Sequence, residues 1–431
     1  MNASEQNKPN QQERVIPKLR FPEFQTALGW SWKTLDQVCT ITNGKSNAQD
    51  HIENGKYPLF DRSEIIKASN DYLFDCEVVI IPGEGMKFIP KYYKGKFNLH
   101  QRAYALKDFI INGKFVYYSM LNNTTLLSKK AVQSTVLSLR LPILKNFPII
   151  KPETEEQQKI ADCLSSLDEL IELQEQKLVA LKQHKKGLMQ QLFPSHNDLQ
   201  ASKQASKQAS KQASKQASKQ ASKIVYPKLR FPQFKNCEGW EVVLLSDIAL
   251  VNPKKEKLPD RLQVSFIPMS QVSEDGKINN VEIKKVYEVK KGYTAFKDND
   301  IIFAKITPCF ENGKAALLNN LENGYGFGST EFHVIRPKNS DGLSTFLFAY
   351  LYSNELFTQG KLSMTGSAGQ QRVPAIFFEN YLVALPSSKE QQAIADCLSS
   401  LDNLISEQSE QIDRLKTHKK GLMQQLFPTI Q

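Results

Sequence analysis

The chain is poor in the residues that carry chemistry. Its six cysteines form no C-x-x-C pair and no zinc spacing, so reduced thiols are expected rather than disulfides or a metal site. Its six histidines fall in no ligand cluster. No apolar run approaches the ~18 residues of a membrane span. The polar N-terminus lacks the charged start and apolar core of a signal peptide. A soluble, cytoplasmic protein with no membrane partner is the expectation. The formal charge is +11, but the tract 195–223 holds six lysines against one aspartate. Residues 31–150 carry 16 basic and 10 acidic side chains, and residues 241–386 carry 16 of each. An anionic partner is therefore indicated moderately, and the second half would need a local basic face.

What the chain does have is a stretch that occurs twice. Residues 155–194 and 389–428 align without gaps at an offset of 234, with 28 identities in 40 positions. Each opens on Glu and Gln and ends on His-Lys-Lys-Gly-Leu-Met-Gln-Gln-Leu-Phe-Pro, signs that suit the two ends of a helix dipole. Ile160, Leu164, Leu167, Ile171, Leu178, Leu181, Leu188 and Leu192 form a heptad seam. Ile394, Leu398, Leu401, Ile405, Ile412, Leu415, Leu422 and Leu426 repeat it. Gln174 and Lys185 interrupt the first seam, and Gln408 and Lys419 the second, at matching places that would fix register. Each helix would be ~58 Å long. A lone helix of that length cannot bury its stripe, so the two should pack together. Residues 172–180 and 406–414 have diverged, Gln174 and Gln408 apart, whereas the ends are nearly identical. The middle should therefore face the sister helix, and the ends should bind one kind of partner twice.

The repeat is wider than the helix. Pro17-Lys18-Leu19-Arg20-Phe21-Pro22 followed by Gly29-Trp30 returns as Pro227-Lys228-Leu229-Arg230-Phe231-Pro232 followed by Gly239-Trp240. Two prolines exclude a regular helix or central strand there. An extended arm is expected, its Leu and Phe packed on the domain. The division is then a disordered N-terminus (1–16), a first domain (17–152), a helix (153–194), a linker (195–226), a second domain (227–386), a helix (387–428) and a tail (429–431). The linker holds five copies of Ser-Lys-Gln-Ala starting at Ser202 and has no apolar stripe. Both domains read as mixed α and β. Strands are expected over 77–81, 264–269, 300–305 and 331–337, and helices over 35–38, 115–127 and 346–357.

Catalytic motifs fail on inspection. Gly44-Lys45-Ser46 resembles the end of a phosphate loop, but Cys39 stands where its first glycine belongs. Asn252-Pro253 opens like the base-holding motif of adenine methyltransferases, but Lys254-Lys255 follow, and no glycine-rich cofactor loop precedes it. Asp260, Glu282 and Lys284 fit the loose pattern of a Mg-dependent nuclease, with two carboxylates on the ion and a lysine supporting an attacking water. They also read as a solvated strand edge. No catalytic residue or metal ligand is assigned.

These features together resemble the specificity subunit of type I restriction–modification systems. The arms, the helices from Glu-Gln-Gln to Leu-Phe-Pro and the tetrad repeat carry the likeness. So do the stretches 304–314 and 326–337. The resemblance implies an α+β protein with two target-recognition domains, each followed by a long helix, the helices forming an antiparallel coiled coil with pseudo-two-fold symmetry. It implies a chain without a catalytic site that reads a bipartite, asymmetric site on double-stranded DNA. Two methyltransferase subunits and the restriction subunits would dock on it. S-adenosylmethionine, ATP and Mg²⁺ would belong to those partners. Two unlike domains cannot read one palindrome, and ~58 Å of helix corresponds to between one and two DNA turns of ~34 Å. Candidate DNA contacts are Arg62, Lys87, Lys91, Lys96, Arg102 and Lys130 in the first domain. In the second they are Lys305, Asn312, Lys314, Thr330, Gln370, Gln371 and Arg372, on polar loops suited to base edges and phosphates. The competing reading is a coiled-coil scaffold that binds no DNA.

Overall fold

The computed structural model describes residues 14–133, 136–212, 224–338, 343–367 and 369–430. The chain forms two compact units, Met1–Lys177 with Gln408–Gln431, and Leu178–Glu407. This cut runs through both long helices, Thr154–Leu192 and Ser388–Leu426. Each unit therefore contains the first half of one helix and the second half of the other. The expected boundaries, which kept each helix whole behind its own domain, differ from this division.

The first unit is built on a six-stranded sheet in the order Thr40–Asn43, Ala103–Lys107, Phe74–Pro82, Lys91–Leu99, Tyr57–Phe60, Lys67–Ser69. All neighbours are antiparallel except Tyr57–Phe60 with Lys91–Leu99. Alternation sets the faces: Val79, Ile81 and Leu106 enter one buried cluster, and Val78, Ile80 and Ala105 another. The helix expected over 115–127 is two, Gly113–Asn122 and Thr124–Lys130. The first is capped by Asn112, whose Oδ1 accepts the Phe115 N–H.

The second unit holds two four-stranded sheets. One is ordered Ala249–Val251, Phe332–Pro337, Ile301–Ala304, Ala315–Leu317. The other is ordered Glu282–Lys285, Gln263–Ile267, Tyr325–Gly328, Thr294–Lys297. Leu343–Leu351 and Asn354–Leu362 replace the single helix expected over 346–357, and Ser353 caps the second of them.

The repeated arm closes each unit. Arg20 is buried and bidentate to Glu156 at 2.7 and 2.6 Å, and it also donates to the carbonyls of Ala27 and Leu28. Arg230 does the same with Glu390, Cys237 and Glu238. Leu19, expected to be packed, is partly exposed, and its N–H donates instead to the Gln425 carbonyl at 3.0 Å. Leu229 donates likewise to Gln191 at 2.9 Å. The Gly-Trp pair follows from close approach: a Cβ on Gly239 would meet Ile224 at 2.1 Å.

Trp30 lies edge-on to Phe115 and Phe427, and Trp240 to Phe346, against which Phe193 also packs. The end of the first helix thus completes the second unit, and the end of the second helix the first. Leu192 is 1% exposed in the core of the second unit, beside Ile394 and Leu398. Ile160 and Leu164 share a core with Met423, Leu426, Phe427 and Ile430. Full burial of one such leucine contributes about 1.5–3 kcal/mol. Every position of both expected seams is buried or half-buried.

Three expectations at the segment ends change. Val15 pairs with Trp30 through hydrogen bonds of 3.0 and 2.7 Å, so order begins before residue 17; residues 1–13 lie outside the described residues. Ile430 of the expected tail is buried. The expected linker begins as a helix, His196–Gln212, whose Leu199 is in the core of the second unit. Ser195 and Asp198 cap it reciprocally. The rest of the tetrad repeat, 213–223, lies outside the described residues.

Candidate nucleic-acid interface

In the second unit three loops converge. The Lys305 N–H donates to the Glu331 carbonyl, the Val373 N–H to Lys305 and the Thr307 N–H to Gln371, at 2.8, 2.8 and 3.0 Å. These bonds draw Lys305, Thr330, Gln370, Gln371 and Arg372 together, five of the seven residues expected there. Thr330 and Gln370 are exposed and the other three half-buried. Arg372 is bidentate to Glu331 at 3.0 and 2.9 Å and donates to the Gln370 carbonyl. The Arg372 hydrogen bond holds the Glu331 carboxyl below its ordinary range despite partial burial.

Beneath these loops His333 is buried. Its Nε2–H donates to the Val373 carbonyl at 2.8 Å, and its Nδ1 accepts from the Asn252 amide at 2.9 Å. Desolvation lowers its pKa, which keeps it neutral and the loops pinned. Asn252 adopts φ +52°, a left-handed conformation that Asn tolerates. Its Oδ1 accepts the Val334 N–H at 3.1 Å. The Asn-Pro step therefore supports the loop floor.

A cleft of about 210 Å³ adjoins this cluster, lined among others by Asn252, Lys255, Tyr293, Lys305 and Thr330. Lys255 and Tyr293 were not singled out in the sequence. The signal was present as two basic runs, Lys254, Lys255, Lys257 and Arg261, then Lys284, Lys285, Lys290 and Lys291. All but Lys284 are exposed. Four exposed carboxylates, Glu256, Asp260, Glu282 and Glu288, interleave with these runs, and Asp260 pairs with Lys290 and Glu282 with Lys284. Asn312 and Lys314 are engaged elsewhere: Asn312 donates to Glu274 at 2.9 Å and Lys314 to the Met269 carbonyl at 3.2 Å.

In the first unit the loops after Phe60, Pro82 and Leu99 adjoin. The His100 N–H donates to Phe60 and the Gly83 N–H to Arg102, at 2.9 and 2.8 Å. Arg62 and Lys87 are exposed on these loops. Arg102 pairs with Glu84 at 2.8 Å. Lys91 is half-buried and donates to the Ser63 carbonyl, and burial lowers its pKa. The strand Lys91–Leu99 lies within the sheet, with Phe97 fully buried. Lys96 lies 4.7 Å over the Tyr72 ring. Lys130 is exposed at the end of its helix.

The nuclease alternative does not assemble. Gln263 pairs with Lys285 and Phe266 with Glu282, so Asp260 and Glu282 fall at opposite ends of the ribbon. Asp260 pairs with Lys290 at 2.7 Å, and Lys284 lies 3.8 Å over the Phe266 ring. Among the described residues no group of three or more His, Cys, Asp or Glu could hold a metal ion. Among them, too, no helix is long and apolar enough to cross a membrane.

Each of the two α+β units presents polar loops and contains part of both repeated helices. The profile of the type I restriction modification DNA specificity domain matches residues 28–183 and 237–417, most of the chain, and the chain belongs to that family. It is 44% identical over 200 residues to the specificity subunit of the type I restriction enzyme EcoEI of Escherichia coli, covering 46% of this chain and 33% of that one. The EcoAI subunit of the same organism is 42% identical over 200 residues, covering 46% and 34%. The chain thus spans about a third of the length of these two relatives. The MjaVIII subunit of Methanocaldococcus jannaschii is 24% identical over 393 residues, 86% of this chain and 81% of that one. The crystal structure of the type I restriction–modification S subunit from M. genitalium shares the fold, with a TM-score of 0.58 at 15% identity, covering 97% of this chain and all of that one.

Proposed function

We propose that this chain is the DNA-recognition subunit of a type I restriction–modification complex, itself without a catalytic site. It reads a bipartite, asymmetric DNA site, one half with each unit. The observation that carries this reading is the convergence of Lys305, Thr330, Gln370, Gln371 and Arg372 beside a cleft with one further cation, Lys255, in a chain of the specificity family. A scaffold that binds no DNA would have no use for such a cluster.

The helices act as a spacer in this reading. Asp168 pairs with Lys419 and Lys185 with Asp402, and the two pairs are counterparts at the repeat offset of 234. Partner numbers fall as the others rise, which supports an antiparallel coiled coil with pseudo-two-fold symmetry. Each further tetrad in the linker would add ~6 Å if helical, under two base pairs at ~3.4 Å per pair.

Two methyltransferase subunits dock on the helices, and restriction subunits join through them. S-adenosylmethionine, ATP and Mg²⁺ belong to those partners, and the complex is cytoplasmic. Gln158, Asp162, Ser166 and Leu170 recur as Gln392, Asp396, Ser400 and Leu404, all exposed, four residues apart. Burial within the chain does not account for their identity, whereas one kind of partner bound twice does.

The test is equilibrium binding of duplex DNA by the chain with its methyltransferase partner across a salt series. Sequence-selective binding that weakens linearly with log salt supports the proposal. Assembly of the complex with no selectivity over random DNA returns the chain to the scaffold reading.

A further inference from the structure

At the C-terminal end of the first long helix the second unit holds a cavity of about 550 Å³, within the size range of small-molecule sites. Lys182, Lys185 and Lys186 reach it from the helix, and Lys228 from the arm that precedes Trp240. Of the four, Lys185 alone has a carboxylate partner among the described residues, Asp402 at 2.5 Å. The remaining three charges share one cavity and have no compensating anion on its wall except Glu355. Glu355 is partly committed, since its Oε1 accepts the His196 backbone N–H at 2.8 Å.

The wall is polar in a second respect. The Gln200 amide donates to His196 Nε2 at 2.9 Å, which leaves the proton of the neutral ring on Nδ1. That Nδ1 is buried and has no hydrogen-bond partner among the described residues. That atom is sealed inside the wall, so the ring shapes the cavity without offering its Nδ1–H to a ligand. Tyr352 is half-buried and brings aromatic surface to the same cavity, whereas Tyr350 and Tyr381 are buried behind its wall.

The internal repeat provides a contrast. Lys416, Lys419, Lys420 and Lys18 are the counterparts of the four lysines. Lys416 is paired with Glu175 and Lys419 with Asp168. Ile430, buried in the Trp30 cluster, replaces His196. The polar wall thus belongs to one copy and is not a by-product of the repeated helix end.

We infer that this cavity binds a nucleoside phosphate, independently of the DNA-reading loops. The phosphate is held by Lys182, Lys186 and Lys228. Ser353 and the Glu355 carboxylate accept ribose hydroxyls, and the Tyr352 ring takes the base. A carboxylate among the lysines disfavours a bare polyanion and favours a ligand with hydroxyls beside its charge.

Calorimetric titration of the full chain with ADP, and separately with inorganic pyrophosphate, tests this. The expected result is saturable ADP binding, tighter than pyrophosphate, that Lys186→Glu weakens by about tenfold or more. Lys420→Glu, at the counterpart position, should leave it unchanged. Both lysines are exposed, so neither variant threatens folding. Absence of saturable ADP binding, equal loss in both variants, or pyrophosphate bound as tightly as ADP would overturn the inference. Displacement of ADP by a duplex without a recognition site would also overturn it, in favour of backbone phosphate.

Discussion

Gln174 and Gln408 occupy the same position of the two long helices, and they bond to each other. Gln408 Nε2 donates to Gln174 Oε1 at 2.8 Å and to the Gln174 carbonyl at 3.2 Å. Gln408 is buried inside a seam that is apolar apart from Lys185 and Lys419, where a polar pair lowers stability but specifies register. Removing one partner strands the other. Gln408→Ala should destabilise the chain by about 1–3 kcal/mol, read from urea denaturation. The double variant Gln174→Leu with Gln408→Leu should recover the loss. A double variant no more stable than the single one would mean that the pair does not act as a unit.

The identical helix ends carry a lesson about partner docking. Leu188 and Leu192 were expected to bind a partner, but Leu192 is buried in the core of the second unit and Leu188 packs against that core. A polar residue at Leu192 should cost about 2–5 kcal/mol of stability and says nothing of docking. Leu170 and Leu404 are the informative positions, being exposed counterparts. Leu170→Glu and Leu404→Glu should each cost one methyltransferase subunit by native mass spectrometry, with folding intact. Full stoichiometry in both variants would leave the helices as spacers alone.

Arg372 is presented by Glu331 rather than free. Arg372→Ala should relax base preference in one half-site only, by about 1–3 kcal/mol if its contact is bidentate, in selection from randomised duplexes. Glu331→Ala should blur the same half-site without shifting the other. Loss spread evenly over all sequences would reduce Arg372 to a phosphate contact.

His333 sets a pH dependence. Burial lowers its pKa from the ordinary 6.5, Lys305 lowers it further, and the Val373 carbonyl and Glu331 act the other way. The unfolded chain therefore takes up the proton first as pH falls below 6.5, and stability is lost in that window. His196, also lowered by burial, contributes in the same direction. Urea denaturation of the second unit should show less stability at pH 5.5 than at pH 7.5, and His333→Gln should reduce that slope. An unchanged slope would show that the His333 pKa is not lowered in the folded chain.

Much of this architecture is legible from period and repetition. The heptad seams located both long helices to within a residue or two, because burial on one stripe leaves a 3.5-residue period. The Gly-Trp pairs marked the arms for the same reason, close packing against a fixed partner. At the C-terminal ends identity between copies does not say what the identical surface touches, and there Phe427 packs on Trp30 and Phe193 on Phe346. Composition left open whether the linker is helical, and it hid a capping pair, Ser195 with Asp198, and one anchoring leucine. In the recognition loops, residue type suggested Lys305, Thr330 and Arg372. It could not tell that Asn312 donates to Glu274 and Lys314 to Met269, since those partners lie some forty residues away. Lys255 went unweighted because sequence does not show that it shares a cleft with Lys305 and Thr330.

The central claim is that the chain reads two half-sites with two units. The most direct measurement maps methylated adenines in DNA from cells that express this chain with its methyltransferase partner. The account predicts one asymmetric, bipartite motif with a spacer of fixed length, of which only one half changes in a chain carrying Arg372→Ala. A continuous or palindromic motif, or a motif whose two halves change together, would contradict it.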